Sequence, residues 1–353
     1  MNGNGSFGTW LKDKYGLPAY NYTCNQFLNP FAKTPTTYGF SVDHFHQIGN
    51  DRITATVHNG GYIQVLECSR GFQWLTYKNK KKNKLGGGIA LFQADQSQPF
   101  LSDLYKLKSS QLFTKFQRIF GMGYFQKKLH LDNLRIEHNI CAPFSDDAIF
   151  VSEIIVSNES ETQFIENLKL IDFWDVFLHH ILRSLIVTSN KRKTFGRTKL
   201  LNATGRVIKF LQKITKTDTE GSRNKFDKKF NFKLDYDKSN NTIIITPKYR
   251  KKNSVKISVP AKHNYYPKSI FLSMIQGEPQ KVFLNQEQIV KRGKFSVDWD
   301  SPKFSIQKSR TTIKNPCAGI GTELTINPQE IKNIVCIFGY GEIENIENLI
   351  SNY

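Results

Sequence analysis

The hairpin-like stretch from Ile53 to Leu66 constrains the fold of this chain more than any other. Apolar and polar residues alternate strictly from Ile53 to His58, a tight-turn signal follows at Asn59-Gly60-Gly61, and a second extended run covers Tyr62 to Leu66. Period-two alternation beside such a turn is typical of a β-hairpin with one buried face. The sequence therefore predicts two paired antiparallel strands here.

Similar strand-like runs fill most of the chain. They cover residues 62–172, where Phe150 to Val156 shows the clearest alternation, and they return from Phe230 to end in the apolar run Ile334 to Phe338. Neither a fixed repeat nor a low-complexity linker separates the two strand-rich parts. The predicted fold class is mainly β, a large antiparallel β-supersandwich of two stacked sheets with one or two helices.

Three segments depart from this pattern. Residues 1–37 combine glycines and prolines with many aromatic residues, which predicts an ordered N-terminal arm. From about 174 to 215 the apolar spacing changes to three and four residues, which predicts a helical insertion packed on the sheets. Its lysines also fit a membrane surface or nucleic acid, but the solvated face of a packed helix has the same composition. We predict one domain over 1–340 and the start of a further helix over 341–353.

Composition bounds the class of protein. No run reaches the roughly 18 apolar residues of a membrane span, and the first residues lack a signal-peptide pattern, so a soluble cytoplasmic protein is expected. The cysteines are odd in number, far apart and without a C-x-x-C pair, which argues against a disulfide framework and a structural zinc site. They are Cys24, Cys68, Cys141, Cys317 and Cys336.

The formal net charge of +20 would suit a phosphate-rich partner. The excess lies largely in loop-like clusters at 78–84, 191–193 and 248–252, and the whole chain is rich in Lys, Asn, Ile and Phe. Compositional drift explains such a charge at least as well as function does. Nucleic-acid binding is therefore the weaker interpretation, and no membrane partner is expected.

A dense polar patch precedes the hairpin and is the first candidate site. Six hydrogen-bonding side chains fall within nine residues around Gly49, which is more polar chemistry than a hairpin needs to fold. We predict that they contact a ligand or a partner chain at an exposed edge of the domain. An equally weighted alternative is a buried network that fixes the hairpin. The residues are His44, His46, Gln47, Asn50, Asp51 and Arg52.

Patterns for cofactors and metals are missing from the sequence. No phosphate-binding loop of the G-x-x-x-x-G-K-[ST] type is present. The near pairs His44 with His46 and His179 with His180 have no identifiable third metal ligand. No cofactor and no metal ion are therefore expected.

Sugar recognition combines stacking on aromatic rings with hydrogen bonds from Asp, Asn, Gln and Arg. Trp74, Tyr20 and Tyr22 are candidate stacking residues, with simple packing as the alternative for the two tyrosines. Each conspicuous carboxylate is better explained as structural than as a general acid or nucleophile. These carboxylates are Asp51, Asp146, Asp147, Asp172 and Asp175.

Six segments carry a family resemblance: NGNGSFGTW, GLPAYNYT, HFHQIGNDRITATVHNGGYIQV, FQRIFGMGYFQKK, APFSDDAIFVSEIIVSN and IDFWDV. Together and in this order they resemble the N-terminal domain of the inverting glycoside phosphorylases of the cellobiose and chitobiose phosphorylase type. The resemblance spans nearly the whole chain, although residues 176–300 match only in character. It implies a β-supersandwich domain that precedes a helical linker, beginning at about 341, and an (α/α)6 barrel.

In that family the barrel holds the general acid and the phosphate site, so the resemblance implies that this chain is inactive alone. It also implies a catalytic barrel polypeptide or a homodimer partner, with a β-linked gluco-oligosaccharide as ligand. The chain would then be a split subunit, a truncated gene product or a separate subunit. The leading hypothesis is a non-catalytic, carbohydrate-associated domain of a glycoside phosphorylase. The alternatives are a stand-alone sugar-binding module and a basic nucleic-acid-binding protein.

Overall fold

A computed structural model describes most of the chain. The described residues are 7–23, 44–68, 73–79, 83–94, 100–102, 115–180, 230–249, 268–291, 294–295, 297, 299 and 315–353. They form strands in three main antiparallel sheets, and none of the sheets closes into a barrel. The structure is therefore mainly β, as predicted. Within these residues no helix is both long enough and apolar enough to cross a membrane.

The largest sheet has ten strands, and every neighbouring pair is antiparallel. Strands far apart in the chain meet at its centre, where Ile149–Asn158 pairs with Ile331–Gly341. In spatial order the strands are β1 (Gly8–Lys12), β2 (Pro18–Tyr22), β9 (Lys115–Gly121), β10 (Tyr124–Leu131), β11 (Leu134–Cys141), β12 (Ile149–Asn158), β22 (Ile331–Gly341), β17 (Ser269–Gln276), β16 (Thr242–Tyr249) and β15 (Phe230–Asp237).

Two five-stranded sheets face the ten-stranded sheet, and a short two-stranded ribbon accompanies them. The first has the order β18 (Lys281–Asn285), β21 (Pro316–Ile326), β13 (Ile165–Asp175), β7 (Ile89–Ala94) and β8 (Phe100–Leu101). The second has the order β14 (His179–His180), β6 (Gln73–Trp74), β5 (Ile63–Glu67), β4 (Ile53–His58) and β3 (Phe45–Gly49). The ribbon pairs β19 (Val290–Lys291) with β20 (Lys294–Phe295), after a 3-10 turn at Gln286–Gln288.

The core lies between the ten-stranded sheet and the two smaller sheets. The predicted hairpin is present as β4 and β5, and the apolar side chains of β4 are buried while its polar ones are half-buried. Trp174 of β13 stacks on Phe338 of β22, with ring centroids 4.1 Å apart. Gly87 lies against this tryptophan, and a Cβ atom there would come within 2.4 Å of the indole ring. The fold is therefore a β-sandwich whose layers meet at closely packed aromatic rings.

One helix, α1 (Ile343–Ser351), covers part of the outer face of the ten-stranded sheet. Its Ile346 and Ile350 pack in one buried cluster with Ile337 of β22. The helix therefore covers the apolar outer side of β22. The sequence explains this packing, because Ile346 and Ile350 are four positions apart and therefore share one face of the helix. A helix is thus present where the sequence predicted one, and its role as a linker stays a prediction.

The described part of the predicted helical insertion, residues 174–180, is not helical. Residues 174–175 complete β13 and residues 179–180 form β14, so the first seven residues of the proposed insertion contain no helix. Trp174 and Val176 are buried by β pairing and sheet packing, which outweigh a helical spacing of apolar residues. Residues 181–215 lie outside the described residues. Of the predicted N-terminal arm, residues 7–23 form the hairpin of β1 and β2 at the edge of the large sheet.

Candidate functional site

An open groove of about 1310 Å³ lies on the outer face of the ten-stranded sheet, opposite the core. The alternation of side chains along the strands explains why polar residues line this face. In β10, for example, Phe125, Lys127 and Leu129 are buried in the core. Gln126 and Lys128 point outward into the groove. Strands β9 to β12 supply its floor. The rim comes from the β1–β2 turn, the β3–β4 turn, the β9–β10 turn and the loop from β11 to β12.

Glu137 is the most connected side chain on the groove floor. Its carboxylate accepts a hydrogen bond from Nε2 of Gln126 at 3.0 Å and pairs with Lys128 at 3.4 Å and Arg135 at 2.8 Å. Arg135 also reaches Glu159 at 3.3 Å, and these two carboxylates raise the guanidinium pKa against the effect of burial. This end of the floor is thus held rigid, and the charge of Glu137 is neutralised.

Glu153 occupies the middle of the floor with neutral partners. Its two carboxylate oxygens accept hydrogen bonds from Nδ2 of Asn139 at 2.9 Å and Nδ2 of Asn333 at 3.1 Å. Burial, and then the charge of Glu153, raises the pKa of the neighbouring Cys141 thiol. The floor around Glu153 is therefore negative and rich in amide groups.

Exposed apolar side chains stand on the rim above this polar floor. Phe144 on the β11–β12 loop is fully exposed, Tyr15 on the β1–β2 turn is 71% exposed, and Met122 on the β9–β10 turn is 60% exposed. Asp13 shapes the β1–β2 turn by accepting the amides of Tyr15 and Leu17, each at 2.9 Å. Burial, together with the Asp13 carboxylate, raises the pKa of Tyr124 to about 12, so this phenol stays protonated.

The residues that line the groove include more carboxylates than lysines, although the whole chain is positively charged. Five carboxylates face only three lysines in the groove, whereas the chain carries +20 overall. The carboxylates are Asp13, Asp51, Glu137, Asp146 and Glu153, and the lysines are Lys12, Lys14 and Lys128.

The structure brings part of the predicted polar patch to this groove. Asn50 and Asp51 line it, and Arg52 reaches its rim through a 3.5 Å contact with Asp146. Asn50 is bonded on both sides: Nδ2 donates to the carbonyls of Pro143 at 3.1 Å and Asp147 at 2.9 Å, and Oδ1 accepts two amides of its own turn. Asn50 therefore ties the β3–β4 turn to the rim loop.

The two histidines of the patch contact different parts of the fold. Nδ1 of His44 lies 3.2 Å from the hydroxyl of Tyr22, and Nε2 of His46 lies 3.0 Å from the carbonyl of Gly121 at the β9–β10 turn. Their ring nitrogens therefore serve separate partners. Gln47 is exposed on β3.

The predicted stacking residues lie away from the groove. Tyr20 and Tyr22 are on the opposite face of the sheet, since they pair directly with Phe120 and Arg118. Tyr22 is buried, and its hydroxyl also accepts a hydrogen bond from Asn59. Trp74 belongs to the second five-stranded sheet, where its ring lies 5.4 Å from that of Tyr77.

Several ionisable groups are buried in the core rather than in the groove. Burial raises the pKa of Asp172 to about 6, while the facing polar groups of Trp174, Ser152, Lys127 and Cys336 oppose the shift. Ser152 also bonds Nε2 of His138 at 2.8 Å, and burial followed by the charge of Lys127 holds the pKa of His138 well below its usual value. The Lys127 ammonium donates to Ser102 and to the carbonyls of Gly61 and Gly88. These groups join the sheets and do not reach solvent.

Sequence reasoning missed the groove floor. Gln126, Lys128, Glu137, Asn139 and Glu153 follow the same period-two pattern that identified their strands. Polar residues at alternate positions are the ordinary signature of a solvated sheet face. The signal that was present is the run of amides and carboxylates on three successive strands, which only the pairing of β10, β11 and β12 places side by side. Among the described residues, no three His, Cys, Asp or Glu side chains converge as metal ligands.

The fold and the groove define a mainly β, sandwich-type domain with an open polar groove on one outer face. No family model and no curated protein matches the chain. A solved structure assigned as a kojibiose phosphorylase, from the human microbiome, shares 12% identity at a TM-score of 0.46, over 98% of this chain and 36% of that one. A polysaccharide lyase shares 9% identity at a TM-score of 0.39, over 87% and 34%.

A third solved structure, assigned as an aldose 1-epimerase from Escherichia coli K12, shares 7% identity at a TM-score of 0.40, over 86% of this chain and 100% of that one. This chain thus spans about a third of the length of the phosphorylase and the lyase.

Proposed function

We propose that the chain is a non-catalytic, carbohydrate-associated domain whose outer-face groove binds a β-linked gluco-oligosaccharide. The groove itself carries this proposal. Amide and carboxylate side chains such as Asn139, Glu153 and Gln126 offer fixed acceptors and donors to sugar hydroxyls. The exposed rings of Tyr15 and Phe144 offer flat apolar faces for sugar rings. A site of this size and openness suits several sugar units of an extended chain.

The charge of the groove favours a neutral ligand over a polyanion. Its lining has more carboxylates than lysines, and Glu153 on the floor is not neutralised by any cation among its hydrogen-bond partners. A nucleic acid or a uronic-acid polymer would place its charges against these carboxylates, and affinity for a polyanion depends on cationic contacts. The unpaired carboxylate of Glu153 is the reason for proposing a neutral ligand rather than a nucleic acid, although the chain is basic overall.

The bonding of the floor supports a role in binding rather than catalysis. A general acid needs a carboxyl group that holds its proton near neutral pH. Burial raises the pKa of Asp172 and of Asp175, and both of these residues are fully buried outside the groove. On the floor, Glu137 accepts hydrogen bonds from Gln126 and Arg135, and Glu153 accepts them from Asn139 and Asn333, which fixes both carboxylates in place for binding.

We further propose that the domain works within an assembly of the glycoside phosphorylase type. The sequence resemblance supports this, and it implies phosphorolysis of a β-glucoside by a barrel polypeptide or a homodimer partner in the cytoplasm. The second candidate is a stand-alone carbohydrate-binding module.

Calorimetric titration of the purified chain tests the binding proposal. We expect cellotetraose or laminaritetraose to bind, and the corresponding uronic-acid oligosaccharide to bind at least tenfold more weakly. Phe144→Ala should weaken binding by about threefold to tenfold, the range expected for one lost stacking contact. Phe164→Ala is the matched control, because Phe164 is also an exposed phenylalanine but lies outside the groove. Absence of heat with every neutral oligosaccharide refutes the proposal.

Release of glucose 1-phosphate tests the assembly. We expect none from the chain alone with cellobiose or laminaribiose and inorganic phosphate, and release only when a barrel polypeptide is added. Release by the chain alone contradicts the non-catalytic role. Failure of the chain to bind any such barrel leaves the stand-alone module as the better account.

A further inference from the structure

Helix α1 and the groove share a structural element, the rim loop from Ala142 to Ala148. The hydroxyl of Tyr353, just beyond α1, donates to Oδ2 of Asp147 at 2.7 Å and lies 3.1 Å from Oγ of Ser145. Burial and the Asp147 charge raise the pKa of Tyr353, so this phenol remains a donor at neutral pH. The helix itself is seated on the sheet by Ile346 and Ile350.

Hydrogen bonds inside the loop connect the Tyr353 contact to the β3–β4 turn. Oγ of Ser145 donates to Oδ2 of Asp147 at 3.0 Å and accepts the amide of Asp147 at 3.2 Å. The carbonyl of Asp147 accepts the amide of Ile149 at 3.0 Å and Nδ2 of Asn50 at 2.9 Å. Asp147 is therefore bonded to α1 through its side chain and to the β3–β4 turn through its backbone.

Some side chains of the rim loop face the groove but do not hold the loop in place. Phe144 is fully exposed, and Asp146 has an exposed 3.5 Å contact with Arg52. An exposed ion pair contributes little to the conformation of a loop. The direction in which Phe144 points therefore depends on the bonds that Asp147 and Asn50 make at the base of the loop.

We infer that Tyr353 and Asp147 are positioning residues for the groove, so that its affinity for oligosaccharide depends on how α1 is seated. This inference rests on the proposed function, because it assigns the rim loop a part in binding. Loss of the Tyr353 hydroxyl frees one end of the loop and lets Phe144 leave the groove. A contact that displaces α1 would have the same effect, which would let a partner bound at this helix adjust sugar binding.

Two measurements on Tyr353→Phe test the inference. Ser351→Ala is the matched control, because it removes a hydroxyl from the same helix end that bonds only to the carbonyl of Asn348, at 2.9 Å. In hydrogen exchange, we expect Tyr353→Phe to speed exchange of the amides of Asp147 and Ile149 at least about fivefold over the control. In calorimetry with cellotetraose or laminaritetraose, whichever the wild type binds, we expect Kd to rise by about threefold to tenfold.

The two readouts separate failure of the inference from failure of the proposed function. Equal exchange in Tyr353→Phe and Ser351→Ala overturns the positioning role, whatever the sugar data show. Faster exchange with an unchanged Kd overturns the link between the loop and binding. If the wild-type chain binds no oligosaccharide, the proposed function fails and the affinity part of the inference fails with it. The exchange data then still decide whether Tyr353 holds the loop.

Discussion

The Nζ atom of Lys84 lies 2.8 Å from Oδ1 of Asp175, and both side chains are almost completely buried. Oδ2 of Asp175 accepts the amide of Leu85 at 2.9 Å. The pair thus fastens the segment before β7 to the end of β13. A buried charge is tolerated only while its partner is present.

Lys84→Met should destabilise the fold strongly. The substitution leaves the Asp175 carboxylate in the core without a cation, which costs roughly 3–5 kcal/mol of unfolding free energy. Denaturant unfolding followed by circular dichroism measures this change. Adding Asp175→Leu should recover most of the loss, since an apolar pair of similar volume replaces the ion pair.

The exposed pair Lys233 and Asp235 is the control for this experiment. Its atoms are as close, at 2.6 Å, but the two side chains are 55% and 42% exposed. Lys233→Ala should change the unfolding free energy by no more than about 0.5 kcal/mol. A similar loss in Lys84→Met and Lys233→Ala would contradict the burial argument.

Asp172→Asn should stabilise the protein above pH 6 and have little effect below pH 4. Burial raises the pKa of Asp172 to about 6, above its ordinary value of about 3.8. The folded state therefore binds the proton more tightly than the unfolded state does. Between the two pKa values stability falls as pH rises, and the cost is complete above pH 6, at about 3 kcal/mol.

The difference in unfolding free energy between Asp172→Asn and wild type, measured from pH 4 to pH 8, isolates this effect. His138 lies nearby with a lowered pKa and produces the opposite slope, a loss of stability as pH falls below its ordinary value, but this slope is common to both proteins. Lys127 is the facing cation and is also common to both. A difference that does not vary with pH would show that Asp172 does not titrate in this way.

Asn50→Ala should cost more stability than any other substitution in the predicted polar patch. It removes two hydrogen bonds from the β3–β4 turn to the rim loop and two more within the turn, for a loss of roughly 2–3 kcal/mol. Gln47→Ala, at an exposed position on the adjacent strand, should change the unfolding free energy by less than about 0.5 kcal/mol. Equal effects of the two substitutions on thermal unfolding would contradict the role we give to Asn50.

The sequence predicted the strands well because each carries its own local signal. Alternation identified the hairpin of β4 and β5, the run Phe150 to Val156 within β12, and the turn at Asn59-Gly60-Gly61. It could not give the order of the strands. The pairing of β12 with β22, for example, joins residues that are far apart in the chain and depends on how whole sheets pack.

The candidate site was predicted only in part for the same reason. The polar density around Gly49 drew attention to a turn that reaches the groove, where Asn50 and Asp51 lie, and their role in binding stays a prediction. The groove floor was missed, because Glu137 and Glu153 look like ordinary solvated positions until the strands are placed side by side. The raised pKa of Asp172 was also missed, because burial from both sheets cannot be read from its neighbours in sequence.

The most direct test of the groove as a carbohydrate site uses two cysteines already in the chain. Cys141 lines the groove floor. Cys68 follows β5 and does not line the groove, and both cysteines are half-buried. Alkylation of each thiol by iodoacetamide is followed peptide by peptide in the wild-type protein, with and without saturating cellotetraose or laminaritetraose. The account predicts that an oligosaccharide slows alkylation of Cys141 at least about fivefold and leaves Cys68 unchanged. Unchanged alkylation of Cys141, or equal slowing of both thiols, would contradict it.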